Sequence, residues 1–156
     1  MDLDLEPLGP SHRERLWRWR REPGFERTFS GWGWSCGGEL DTWLAERTRP
    51  GRHYAFLVVD AQARTNRELA LTTLSHWPTT RLAEISFAVA SVHRRAGVAT
   101  RAVQGTMSWA TSQLEVDAFE AWTDATNHAS QRFLARLGFA RLQDRRPVSW
   151  RLARDG

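Results

Sequence analysis

The chain has 156 residues, the size of one ordinary domain, and is long enough to bury a full core without disulfides or a structural metal. Its hydrophobic fraction of 41% and charged fraction of 26% are those of a globular protein and exclude a disordered polyelectrolyte. The formal charge is +4 and every basic residue is arginine. That excess reads as a polyanion partner or as a bias toward arginine codons, and a modest positive field also suits a small ligand carrying several phosphates.

Met1 to Glu6 is acidic, unlike a signal peptide, which begins basic and turns apolar. Leu3, Leu5 and Leu8 alternate and predict a first strand over 3–8. Pro10 and Ser11 mark a helix start, and Ser11-His12-Arg13-Glu14 reads as a capping box. Leu16, Trp17 and Trp19 give that helix an apolar side, and Pro23-Gly24 ends it. Phe29 to Gly38, rich in glycine and tryptophan, reads as a loop. It contains Cys36, the only cysteine, so no intrachain disulfide is possible and a reducing, cytoplasmic setting is expected.

A short helix follows, with Leu40, Trp43 and Leu44 on one face, and Pro50-Gly51 makes a turn. Tyr54–Val59 and Leu69–Leu74 predict two strands. The first is also the longest apolar run, too short to cross a bilayer, so no membrane partner is expected. A hairpin connection at Trp77-Pro78 leads to a fourth strand over Leu82–Val89. A long helix from Val98 to about Gln113 carries an apolar stripe of Val98, Ala102, Val103, Met107 and Ala110. Phe119–Thr123 is a fifth strand. His128–Leu137 is a last helix stopped by Gly138, and Phe139–Leu142 and Val148–Leu152 are final strands. This order predicts an α+β fold, a mixed α/β layer, in a single domain over 1–156. The histidines at 12, 53, 76, 93 and 128 show no helical ligand spacing, and no second thiol exists, so no metal site is expected.

The most informative segment is Arg94-Arg95-Ala96-Gly97-Val98-Ala99-Thr100, where a strand hands over to a helix. The first N–H groups of a helix lack intrahelical partners, and the helix dipole adds positive partial charge there. Gly97 and Ala99 are small enough for backbone to approach a pyrophosphate, and Arg94 and Arg95 add charge-assisted donors. The segment fits neither the P-loop nor the dinucleotide fingerprint.

In its surroundings, Arg94-x-x-Gly97-x-Ala99 resembles the Arg/Gln-x-x-Gly-x-Gly/Ala acetyl-CoA motif of the GNAT superfamily of N-acetyltransferases. The strand Ala83–Val89 precedes it, as in that family. Asn127-His128-Ala129-Ser130, then Phe133 and Leu137-Gly138-Phe139, resemble the second family motif. The order of elements is similar along nearly the whole chain. The resemblance implies a mostly antiparallel sheet of six to seven strands, splayed between strands 4 and 5 and flanked by about four helices. It also implies acetyl-CoA as the acyl donor, with the pantetheine arm on the backbone of Phe87 to Val89 and the pyrophosphate on the N–H groups from Arg95 to Thr100. Asn127 would meet the pantetheine or neighbouring backbone, and Phe133 would pack either beside the cofactor or in the core.

The reaction implied is direct attack of a primary amine, on a small molecule or a protein N-terminus, upon the thioester. Glu84 stands where the histone-acetyltransferase branch carries its base, and Glu120 is the second candidate. Many members use a tyrosine on the last helix as acid. Here that position corresponds to Leu134, and Ser130, at the offset seen in the ribosomal-protein N-terminal acetyltransferase branch, is the substitute. Trp32 and Trp34 would wall the acceptor pocket, and a homodimer is common in the family. Three other readings have some support in the residues. Gly33-Trp34-Ser35-Cys36-Gly37 fits a hydrolase elbow, but Phe29–Trp32 does not read as the buried strand that the elbow needs. Arg13, Arg15, Arg18, Arg20 and Arg21 beside Trp17 and Trp19 outline a nucleic-acid-binding face, interrupted by Glu14, Glu22 and Glu26. A family fold that binds acyl-CoA without catalysis is the remaining alternative.

Overall fold

The computed structural model describes residues 2–21, 37–65, 67–90, 97–142 and 148–154. They form a seven-stranded sheet: β1 (Leu3–Pro7), β2 (His53–Asp60), β3 (Glu68–Trp77), β4 (Leu82–Val89), β5 (Ala118–Thr123), β6 (Ala140–Leu142) and β7 (Val148–Ala153). The strand order is β1-β2-β3-β4-β5-β7-β6. Every neighbouring pair is antiparallel except β4 and β5. Among the described residues there are four α-helices: α1 (Arg13–Trp19), α2 (Gly37–Arg47), α3 (Val98–Gln113) and α4 (His128–Arg136). This is the expected α+β layer with the expected order of elements. None of these helices is long and apolar enough to cross a membrane.

The two faces of the sheet are covered by different helices because alternate side chains point opposite ways. On one face Ala55, Leu57, Val59, Leu71 and Ala88 pack against Leu16 and Trp19 of α1 and Leu40, Trp43 and Leu44 of α2. On the other, Leu74, Ile85 and Phe119 meet Val103 and Ala110 of α3 and Phe133 and Leu134 of α4. Leu57, Leu71 and Leu134 are fully buried. Each such side chain contributes roughly 1.5–3 kcal/mol relative to leaving it in water. Buried Thr106 lies on the α3 stripe beside Met107. Its hydroxyl bonds the carbonyl of Ala102 at 2.9 Å and the Thr72 hydroxyl at 2.8 Å, which satisfies both polar groups inside the core.

Local details depart from expectation at the first helix. A 3-10 turn over Pro10–His12 precedes α1, and neither start carries a side-chain cap hydrogen bond, so the Ser11 capping box does not form. Pro10 opens the turn one residue before Ser11 could act as cap. His12 serves this corner instead: its Nδ1 accepts from the Gly9 N–H at 3.0 Å, and its Nε2 lies 3.1 Å from Glu6. The last helix ends as expected. Gly138 has φ +94°, the Gly138 N–H donates to the Ala135 carbonyl, and the Phe139 N–H donates to that of Leu134. These are the two bonds of a Schellman motif. The β3 strand runs to Trp77, three residues beyond the predicted Leu74. Ser75 and His76 are polar but buried, so hydropathy ended the strand too early.

Candidate active site

Strands β4 and β5 are parallel neighbours for only three residue pairs: Leu82 with Ala118, Ala83 with Phe119, and Glu84 with Glu120. Among the described residues nothing of β4 beyond Glu84 pairs with β5, while β4 stays paired to β3 through Val89. Alternate backbone N–H and C=O groups from Ile85 to Val89 therefore face a gap. Unpaired backbone of this kind demands a partner. The sheet splays here, as the resemblance implied, and Glu84 and Glu120 occupy the last closed rung.

Cross-strand partners project to the same face. One register line therefore carries His53, Ser75, Glu84, Glu120 and Arg151 across five strands. The His53 Nδ1 and the Ser75 hydroxyl are 2.9 Å apart. Glu120 is buried, and its Oε1 accepts from the Nε of Arg151 at 3.1 Å and also from Nη2. Among the described residues no guanidinium is bonded to Glu84. Burial is the main cause that raises its pKa above the ordinary carboxylate value, the Glu120 charge raises it further, and Arg47 partly opposes both. The two neighbouring carboxyl groups thus differ in setting: one is bonded to an arginine, and the other is half-buried with its pKa raised. On the far side of the line, His53 is held below its usual pKa, first by burial and then by Arg47, Arg52 and Arg49. Its imidazole is therefore biased toward the neutral form.

Because β4 and β5 run parallel, the helices that follow them begin at the same end of the sheet, where the gap is open. At the start of α3, Gly97 is the N-cap with φ +72°, no side chain caps the helix, and no acidic residue lies in the first turn. Among the described residues no acceptor meets the amides of Val98, Ala99 and Thr100, the orphan donors of a helix start, and glycine meets the left-handed backbone at least cost. At the start of α4, Asn127 caps its own helix: Oδ1 accepts from the Ser130 N–H at 3.1 Å. Ser130, in the first turn, is only partly covered.

Among the other expected site residues, Phe87 is partly buried and Phe133 buried, and their ring centroids lie 4.9 Å apart. Phe133 thus packs in the core beneath the β4 edge. Val89 is partly buried and packs against Val58, Ala70 and Val98. Leu134, at the position of the family tyrosine, is fully enclosed and offers no acid. Arg94, Arg95, Ala96, Trp32 and Trp34 lie outside the described residues. Sequence reasoning missed Arg47, His53 and Ser75. Arg47 read as an ordinary basic residue at a helix end, and only the register brings His53 and Ser75 onto the Glu84 line. Trp122, two residues after Glu120 on the same face, is 58% exposed, the one exposed large hydrophobic among the described residues.

An acetyltransferase (GNAT) domain family model matches residues 2–140. Among curated proteins none matches. Of solved structures, the Salmonella typhimurium acetyltransferase that modifies the N-terminal serine of ribosomal protein L7/L12 is similar at 14% identity. It covers 98% of this chain and 95% of its own, with TM-score 0.78. A ribosomal L7/L12 α-N-protein acetyltransferase in complex with coenzyme A is 14% identical over 97% of this chain and 93% of its own, with TM-score 0.76. Spermidine N-acetyltransferase from Vibrio cholerae, described as dodecameric, is 16% identical over 97% and 93%, with TM-score 0.74. At these identities the likeness establishes a shared fold.

Proposed function

Because the chain belongs to the GNAT acetyltransferase family, we propose that it transfers an acetyl group from acetyl-CoA to a primary amine, with Glu84 as the base at the mouth of the β4–β5 gap. The observation that carries this reading is the last closed rung. A half-buried carboxylate with a raised pKa sits where the sheet opens. The residues present fit an acyl-CoA. The free β4 edge from Ile85 to Val89 suits an amide-bearing arm, and the uncapped α3 amides at Gly97–Thr100 suit a pyrophosphate. Arg94, Arg95 and Ala96 complete that loop in the sequence motif. When bound, acetyl-CoA supplies a thioester, from which the acetyl group passes to nitrogen with loss of the thiol.

The chain's own groups have three tasks. Glu84 accepts a proton from the incoming ammonium, and its raised pKa brings it closer to the working range of a general base. Glu120, hydrogen-bonded by Arg151, adds to burial in keeping that pKa raised. A backbone N–H near Val89 is a donor for the oxygen that gains charge, and preorganised donors of this kind are usually the largest single contribution. Ser130, beside the capped α4 start, is the proton source for the departing thiolate. The acceptor is an amine of a small molecule or a peptide N-terminus, the second supported by the ribosomal-protein relatives. A cytoplasmic location and a homodimer remain part of the same proposal.

The test is acetyl-CoA turnover, followed as free thiol, across amines and peptides, together with calorimetry of coenzyme A binding. Glu84→Gln is expected to lower turnover by about 10²–10⁴-fold while leaving coenzyme A affinity within a few-fold. Unchanged turnover removes Glu84 from the role. Tight coenzyme A binding with no thiol release from any acceptor identifies a silent acyl-CoA binder instead.

A further inference from the structure

Arg47, the last residue of α2, stands out among the groups that the proposed transfer leaves unused. Its Nε is sealed from solvent and has no hydrogen-bond partner among the described residues. Among the described residues it forms no ion pair, whereas Arg13, Arg15, Arg67, Arg81 and Arg151 all do. A buried guanidinium nitrogen without an acceptor is costly, and native proteins seldom leave one without reason.

Its place in the fold gives the reason. The turn after α2 leads directly into His53, the start of β2, and His53 shares a register line with Ser75 and Glu84. Arg47 follows Trp43 and Leu44 by one helical turn, and these pack on the face of the sheet that carries the register line; its charge is felt at both His53 and Glu84. It does not reach Glu84 as an ion pair. Arg49 and Arg52 add to the positive field at His53, and Arg52 stacks over Trp77 with 5.7 Å to the ring centroid. Across the line stand the carboxyl groups of Glu84 and Glu120, with Trp122 exposed beyond them. The face thus offers a cationic end and a pair of carboxyl groups at its centre.

We propose that Arg47 receives a carboxylate of the acceptor while the acceptor's ammonium faces Glu84, so that the preferred substrate carries an amine and a carboxylate on one short frame. A polycationic amine would instead place its second charge against Arg47, Arg49 and Arg52. This inference rests on the acetyl-transfer reading and narrows it. The carboxylate comes either from a small amino acid or from an acidic side chain near a peptide N-terminus, and both present the same chemistry to the guanidinium.

The experiment measures kcat/KM for matched acceptor pairs with the full chain and acetyl-CoA. One arm compares short ω-amino acids with n-alkylamines of the same length. The other compares peptides bearing Glu or Gln next to the N-terminal residue, and spermidine serves as the polycation. The acid member of a pair is expected to win by about 10- to 100-fold, the range one charge-assisted hydrogen-bonded pair supplies. The arm showing the preference identifies the source. In Arg47→Gln the acid-over-neutral ratio should fall to one or below, with the loss in KM for the acceptor and not in KM for acetyl-CoA. Arg47→Lys should recover part of it. Because each pair shares the same base, the ratio cancels any effect of Arg47 on Glu84 and any partial unfolding of the variant. Equal rates within pairs, a preference for spermidine, a ratio unmoved by Arg47→Gln, or a rise in acetyl-CoA KM alone overturns the assignment while acetyl transfer stands. No thiol release with any acceptor removes the transfer reading, and the Arg47 role falls with it.

Discussion

Glu84 takes its character from burial and two neighbours, and each makes a measurable difference. Burial and the Glu120 charge hold its proton on, and Arg47 loosens it. A general base works deprotonated, so kcat/KM should rise with pH as the solution passes upward through the raised pKa. Glu120→Gln removes the like charge and frees Arg151, so that acid limb is expected to move to lower pH. Arg47→Gln removes a positive neighbour and should move the limb to higher pH. A pH–rate profile of the three proteins checks both signs, and shifts in the same direction would contradict the arrangement. Both glutamates are legible in the sequence as strand carboxylates, yet their face-to-face placement is not, because it depends on the register of a parallel pair formed by segments far apart in the chain. Arg47 was illegible for a different reason. Its type is ordinary for a helix end, and only its buried Nε, left without an acceptor among the described residues, sets it apart.

Elements were read well where the hydrophobic period was unbroken. The β4 strand and the α3 helix have the predicted bounds, Leu82–Val89 and Val98–Gln113. The errors fall where a polar residue is buried for a tertiary reason: Ser75 and His76 at the end of β3, and His12 at the first corner. At the start of α3 the sequence motif and the backbone agree, since Gly97 has φ +72°. Gly97→Ala is expected to cost roughly 1–2 kcal/mol of stability, the penalty for a side chain in the left-handed region, and to weaken coenzyme A binding by crowding the free amides. Gly51, with φ +87° in the turn before β2, is the control. Gly51→Ala should lower the melting temperature similarly and leave coenzyme A affinity alone. Thermal melts and calorimetry of both variants separate a local phosphate role from simple destabilisation. Equal loss of affinity in the two would reject it.

Over the whole molecule, charge is arranged in pairs more than in patches. Arg13 reaches Asp41 and Glu14, Arg15 reaches Glu6 and Glu68, and Arg20 stacks on Trp17, so three of the five arginines in and beside the first helix are engaged by neighbours. That pairing counts against a nucleic-acid surface, and most of it could not be foreseen, because Glu6, Asp41 and Glu68 come from β1, α2 and β3. The three-rung contact between β4 and β5 has a mechanical consequence as well. A sheet joined by so few backbone bonds is two slabs with a narrow seam, one made of β1 to β4 and the other of β5, β7 and β6. Amides along the open side of β4 should therefore exchange with deuterium far faster than those inside either slab. A ligand lying lengthwise in the opening would supply the missing rungs, slow that exchange and raise the melting temperature by mass action. Exchange mass spectrometry with and without coenzyme A reads this directly: protection confined to the Ile85–Val89 edge and the start of α3 is expected, and uniform or absent protection would count against it.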